Sequence, residues 1–171
     1  MAGVSAAIVF PTTRALAPRL PAYEAFVGEH WKIAAGHVQQ RIFLACDAGQ
    51  LVCGGVAFLT LGLMLIGVGL PRLEKRAATT IRVLATAAAL IVLCYHLLVL
   101  SPRMQQNLTA YWSNAEGGRQ AEAEVAQAAF EVDHPTASRA LSLLAACVAA
   151  SLLASVWGLA RPMSSQGEGS R

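Results

Sequence analysis

Three apolar stretches, each about as long as a bilayer is thick, constrain this chain more than any other feature. "LVCGGVAFLTLGLMLIGVGL" covers Leu51–Leu70, "IRVLATAAALIVLCYHLLVL" covers Ile81–Leu100, and "LSLLAACVAASLLASVWGLA" covers Leu141–Ala160. A helix rises about 1.5 Å per residue, so each run reaches about 30 Å, the hydrocarbon thickness. Lipid offers the backbone no hydrogen-bond partners, which leaves helices or closed β-barrels as spanning structures. The period-two alternation of a barrel strand is absent from all three runs. The expected fold is therefore all-α, an integral membrane four-helix bundle with a short or incomplete first helix. Composition agrees: only 13 % of residues are charged, against roughly 25 % in soluble domains.

The four helices are expected near 2–16, 35–70, 79–101 and 136–160, in one transmembrane domain covering 1–162. The N-terminal "MAGVSAAIVF" is apolar but meets Pro11, so it makes only about half a bilayer of helix. No basic residues precede it, unlike a signal peptide. It fits a half-inserted helix, an interfacial segment, or the second half of a longer spanning helix. The favoured reading is a short transmembrane helix, Ala2–Leu16, kinked at Pro11 and packed on the others. Residues 102–135 read as a soluble, partly helical loop whose "RQAEAEVAQAAFEV" portion favours helix. Asp133 is expected to cap the last span, with Pro135 near its first turn. Residues 163–171 are Ser/Gly-rich and read as a disordered tail.

Basic residues orient membrane proteins. The side of the 71–82 turn carries six, Arg72, Lys75, Arg76, Arg82, Arg161 and Arg171, against seven on the side of the two longer connections. The denser placement near span ends puts the 71–82 turn and both termini in the cytoplasm. A plasma (inner) membrane location is expected. The net charge of +3, with no Lys/Arg block, gives no footing for a nucleic-acid partner. Cys46, Cys53, Cys94 and Cys147 all lie in apolar runs without a CxxC, and read as small buried hydrophobes. Ala146, Ala150, Ala154 and Gly158 recur every fourth residue, and Gly54, Gly55, Gly62, Gly67 and Gly69 thin the Leu51 run. Such residues let helix backbones approach closely. The expected partners are the lipid bilayer and a second copy of the chain.

"VFPTTRAL", "AGHVQQRIF", "LVLSPRM" and "FEVDHPTASRALSLL" together resemble the transmembrane protein 205-like family, a four-helix membrane domain of unknown function. Pro11, Ala35–Gly36, Pro102, Phe130 and His134 carry the resemblance, which covers nearly the whole chain. The family's first helix is longer, so the resemblance implies that this N-terminus is reduced or incomplete. The Ser that follows the family's His falls at Ala137 here, with Ser138 next, and the Asn deeper in that helix is missing near Leu141 and Ser142. A role for that Asn does not carry over. The resemblance implies four membrane helices and no settled activity.

Polar residues inside such runs are the candidates for chemistry. On a wheel of about 100° per residue with His37 at zero, Gln40 falls near −60°, Asp47 near −80°, Gly54 near −100° and Gln50 near −140°. One face of the second helix is thus polar where it enters the membrane. His96 lies six residues before Pro102, about 9 Å below the same end of the third span. The expected site is a polar vestibule of Asp47, Gln50, His96 and Ser142, rimmed by His37 and His134, with His30 near the face of His37. A carboxylate and an imidazole at shallow depth can pass protons or hold a cation. The structural alternative pairs Asp47 with His96 or Arg41 and leaves His30, His37 and His134 solvated. A metal on His30, His37 and His134, or a haem between two histidines, is a further reading. No dedicated His pair at matching depth supports the haem.

No GxSxG, HExxH or P-loop is present, and Asp133–His134–Ser138 has no oxyanion-hole context. Neither a catalytic residue nor a cofactor is expected. The primary expectation is a non-enzymatic membrane component. The alternatives are a small permease or ion- or metal-handling protein using Asp47 and His96, and a membrane redox protein. Asn107–Thr109 is a glycosylation sequon, meaningful only in a secretory setting.

Overall fold

The computed structural model describes residues 2–68 and 77–160. The turn at 71–76, the tail at 163–171 and Gly69 lie outside the described residues. Within them every regular element is helical. Helix α1 is Ala2–Leu16, a 3-10 turn follows at Pro21–Tyr23, and α2 is His30–Val68. Helix α3, Ala77–Tyr95, passes through a π-helical turn, His96–Leu100, into α4, Ser101–Glu116. Helix α5 is Gln120–Ala160. The all-α architecture with a short first helix is as the apolar runs imply.

Three helices are long and apolar enough to cross a membrane, within His30–Gly67, Ala77–Glu116 and Gln120–Trp157. They make this a multi-pass membrane protein. Large apolar side chains on them face outward: Leu63 is 70 % exposed and Ile66 84 %. Lipid is the medium in which that exposure costs nothing. At 39 residues, α2 is about 58 Å long, far more than the hydrocarbon core, so its first half projects beyond it.

The helix boundaries differ from the expected ones in three places. Helix α2 starts at His30 rather than near 35. The third helix does not stop at 101, because the π-helical turn carries it on through Pro102 into α4. The fourth does not begin at 136, because the Ala/Glu-rich segment and the last span are one helix. Only residues 117–119 of the expected loop 102–135 fall between helices. Asp133 and Pro135 consequently sit inside α5, and Asp133 is not a cap. Pro135 is exposed, so the carbonyl it frees one turn back can be met by solvent.

The chain divides into two compact units, Met1–Cys53 with Tyr95–Arg139 and Gly54–Cys94 with Ala140–Arg171. In the first, an aromatic core of Tyr23, Phe26, Tyr111 and Trp112 packs around Ile33, with Ala115, Ala123 and Ala126 filling the narrow side. The turn that folds α5 back onto α4 depends on Gly118, whose φ of +69° is left-handed. Its N–H bonds Ala115 O at 3.1 Å, and the next N–H, of Arg119, bonds Asn114 O at 2.9 Å. That pair of bonds satisfies two carbonyls the end of α4 would otherwise leave open. Helix α1 ends similarly at Ala17, φ +42°, and Pro18 follows and cannot extend it.

In the second unit, Thr86 and Ser151 share a 3.0 Å hydrogen bond between α3 and α5. Arg82 donates to Met64 Sδ at 2.9 Å. Gly54 packs against Leu93, where an added Cβ would overlap the leucine Cδ2. The expectation that the neighbouring glycines do the same is not met: a Cβ at Gly55, Gly62 or Gly67 would touch nothing within 4 Å. Along the Ala146, Ala150, Ala154 row only Ala154 is buried. All four cysteines are free, with Cys53 and Cys94 exposed.

Candidate functional site

The candidate site is built where α2 meets the π-helical turn. Asp47 Oδ1 accepts a hydrogen bond from His96 Nε2 at 3.3 Å, and Asp47 Oδ2 accepts one from Ser101 Oγ at 2.6 Å. The Asp47 and His96 side chains are only 16 % and 8 % exposed. The π turn explains how both partners reach one carboxylate. In an α-helix, residues five apart point about 140° away from each other. Here Ser101 N–H bonds His96 O, an i→i+5 bond that stacks residue 101 over residue 96. Pro102 gives a local reason for the wide turn, since its ring would crowd the carbonyl four residues back in an α-helix.

The pair is incompletely satisfied. His96 Nδ1 is buried without a hydrogen-bond partner, and so is Gln50 Oε1, one turn along α2 from Asp47. Buried polar atoms are nearly always paired, so two orphans beside a carboxylate mark a place where a proton, a water or an ion would gain partners. Of the four expected vestibule residues, the structure brings Asp47 and His96 into contact and sets Gln50 on the same helix. Ser142 lies on α5 in the other unit and is exposed. Ser101 is the partner that sequence reasoning missed, and the proline that follows it was the available signal. Arg41, considered as a partner for Asp47, is exposed.

The three rim histidines go to separate places. His30 closes the segment before α2: its Nδ1 accepts from Leu20 N–H at 3.1 Å and its Nε2 faces Phe26 O at 3.3 Å. His37 stacks on Trp112, with centroids 3.8 Å apart, and its Nε2 meets the Tyr23 hydroxyl at 3.2 Å. Burial, reinforced by Glu116, pushes the Tyr23 phenol above its usual value of 10.0. His134 is exposed on α5 beside Phe130. Among the described residues no group of three or more His, Cys, Asp or Glu side chains could hold a metal, so the proposed His30, His37 and His134 set does not converge.

Two further polar contacts tie helices together near the site. Gln40 Nε2 donates to Gln105 Oε1, linking α2 to α4. Asp133 of α5 receives both Nε, at 2.7 Å, and Nη2 of Arg103 on α4. The aspartate is 9 % exposed and the arginine 52 %, so a charge buried on one side is neutralised by a forked partner reaching in from solvent. On another face of α2, Gln39 is buried and donates to Ser5 Oγ of α1 at 3.0 Å.

Compared with protein-family models, with curated proteins and with solved structures, the chain matches none.

Proposed function

We propose that this is a non-enzymatic multi-pass protein of the plasma (inner) membrane, of the transmembrane protein 205-like kind, whose Asp47–His96 pair takes up and releases a proton. One observation carries the reading. His96 uses one ring nitrogen on a carboxylate and leaves the other buried without a partner. A neutral imidazole in that position donates its Nε2–H to the carboxylate and keeps a free lone pair on Nδ1, the one ring atom to which a proton can add. The resulting imidazolium sits against an anion, which offsets its desolvation. Imidazole also changes charge near neutral pH more readily than any other side chain.

The test is proton movement in vesicles. Protein reconstituted at equal density into vesicles holding a pH-sensitive dye should equilibrate an imposed pH step faster than empty vesicles. Asp47→Asn and His96→Gln should return the rate to that of the empty vesicles while leaving helix content by circular dichroism unchanged. Equal rates in wild type and both variants would overturn the proposal.

A further inference from the structure

A cavity of about 490 Å³ opens between the end of α1 and the start of α2, lined by residues 17–21 with Glu24, Glu29, His30 and Trp31. Small-molecule sites run from about 300 to 1,000 Å³. The chain holds this lining in shape by bonding to itself. His30 accepts the Leu20 N–H on Nδ1 at 3.1 Å and donates from Nε2 to Phe26 O at 3.3 Å, so one ring pins the segment at two points. Tyr23 N–H bonds Leu20 O, and Phe26 N–H bonds Tyr23 O, each at 3.0 Å. Pro18 and Pro21 add two fixed φ angles. A lining ordered in advance costs little to organise when a ligand arrives. All of these residues belong to one compact unit.

Two charges on this cavity are left over. Arg19 and Glu24 both line it, and among the described residues neither has a hydrogen bond or an ion pair, with the other or with any third group. The remaining groups are engaged. Glu29 is held by Lys32 at 2.6 Å, and the Trp31 ring carries Arg14 and Lys32 at 5.7 and 5.8 Å from its centroid. A guanidinium and a carboxylate that share a cavity without closing on each other suit a molecule carrying both charges itself. We propose that the cavity binds a small water-soluble zwitterion of the amino-acid class. Its carboxylate meets Arg19, its primary ammonium meets Glu24, and its aliphatic part lies against Pro18, Leu20 and Pro21. Arginine offers a carboxylate two parallel N–H bonds, and an ammonium has three hydrogens to donate. An anion alone would meet the carboxylates of Glu24 and Glu29, and a cation alone would meet Arg19. Trp31 precedes Leu51, where the apolar run begins, by 20 residues of the same helix, about 30 Å. The ligand therefore comes from water and not from a lipid headgroup. Asp47 lies 16 residues beyond Trp31, about 24 Å, so the site stands whether or not the Asp47–His96 pair carries protons.

The test is a saturation-transfer NMR titration of the full chain in detergent. The probes are leucine and 4-aminobutyrate, two zwitterions that differ in the separation of their charges. At least one should bind, and the tighter of the two reports the spacing of Arg19 and Glu24. Its single-charge analogues, leucinamide and N-acetylleucine or butylamine and butyrate, should bind about tenfold or more weakly, the loss of one charged hydrogen bond. Arg19→Gln and Glu24→Gln should each weaken the zwitterion by a similar factor. Arg41→Gln removes the same charge from an exposed position outside the cavity and should leave the affinity unchanged. Circular dichroism checks the helix content of each variant. No binding of either zwitterion up to its solubility would overturn the proposal. So would equal affinity for the single-charge analogues, or wild-type affinity in both Arg19→Gln and Glu24→Gln. A loss in Arg41→Gln as large as in Arg19→Gln would trace binding to bulk charge and overturn the site.

Discussion

Ser101 and His96 bond opposite oxygens of the same Asp47 carboxylate because an i→i+5 turn sets them one above the other. A bond to a charged acceptor contributes about 1.5–3 kcal/mol. Ser101→Ala is expected to lower stability in detergent by that order, read as a drop in the thermal midpoint. Ser101→Thr, which keeps the hydroxyl, should recover most of it. Equal midpoints for wild type and Ser101→Ala would show that the carboxylate gains nothing from the serine.

The Arg103–Asp133 pair is asymmetric in exposure, so its two halves should respond differently to removal. Arg103→Ala leaves a nearly buried carboxylate alone and should cost about 3 kcal/mol, the low end for stranding a buried charge. Asp133→Ala leaves an arginine that can turn to solvent and should cost less. The double variant should be more stable than Arg103→Ala alone. A denaturant series on the four proteins measures the coupling, and strict additivity would remove the pair from the account.

Gly54 and Gly55 are adjacent in sequence and opposite in consequence. Gly54→Ala drives a methyl into Leu93 Cδ2, and overpacking typically costs about 1–3 kcal/mol. The cost should fall at the low end, since that atom is the free end of a side chain, and Leu93→Val should relieve it. Gly55→Ala meets nothing and should stabilise by up to about 1 kcal/mol through helix propensity alone. Thermal midpoints in detergent decide both. A lower midpoint for Gly55→Ala would place a neighbour on that face.

Tyr23 gives a pH dependence whose sign follows from burial. Its folded pKa is raised above the usual 10.0, so the folded state holds the proton that the unfolded chain releases first. Stability from this group is fully present below pH 10 and is lost as pH climbs from there through the folded value. Tyr23→Phe should flatten the alkaline limb of a stability–pH curve. It should also lower the plateau, because the hydroxyl contact with His37 goes with it. A curve in Tyr23→Phe that still falls at the same pH would assign the limb to another group.

The sequence by itself determined the medium and the scale of this protein. Runs the length of a bilayer permit little but helices in lipid, and the described residues of Leu51–Leu70, Ile81–Leu100 and Leu141–Ala160 all lie in long apolar helices. Counting residues from span ends also put Asp47 and His96 at comparable depth, because rise per residue is constant along a helix. Tertiary structure decided what depth cannot. Ser101 joined the site because a wide turn changed the rotation between positions 96 and 101, and a fixed 100° wheel has no term for that. Asp133 had the composition of a cap, yet Arg103 gave it a partner thirty residues away and the helix ran on through Pro135. Ser142, expected beside Asp47, is exposed on α5. Periodicity fixes height and face within one helix. Which faces meet depends on how several helices pack, and that is settled only when all of them are in place.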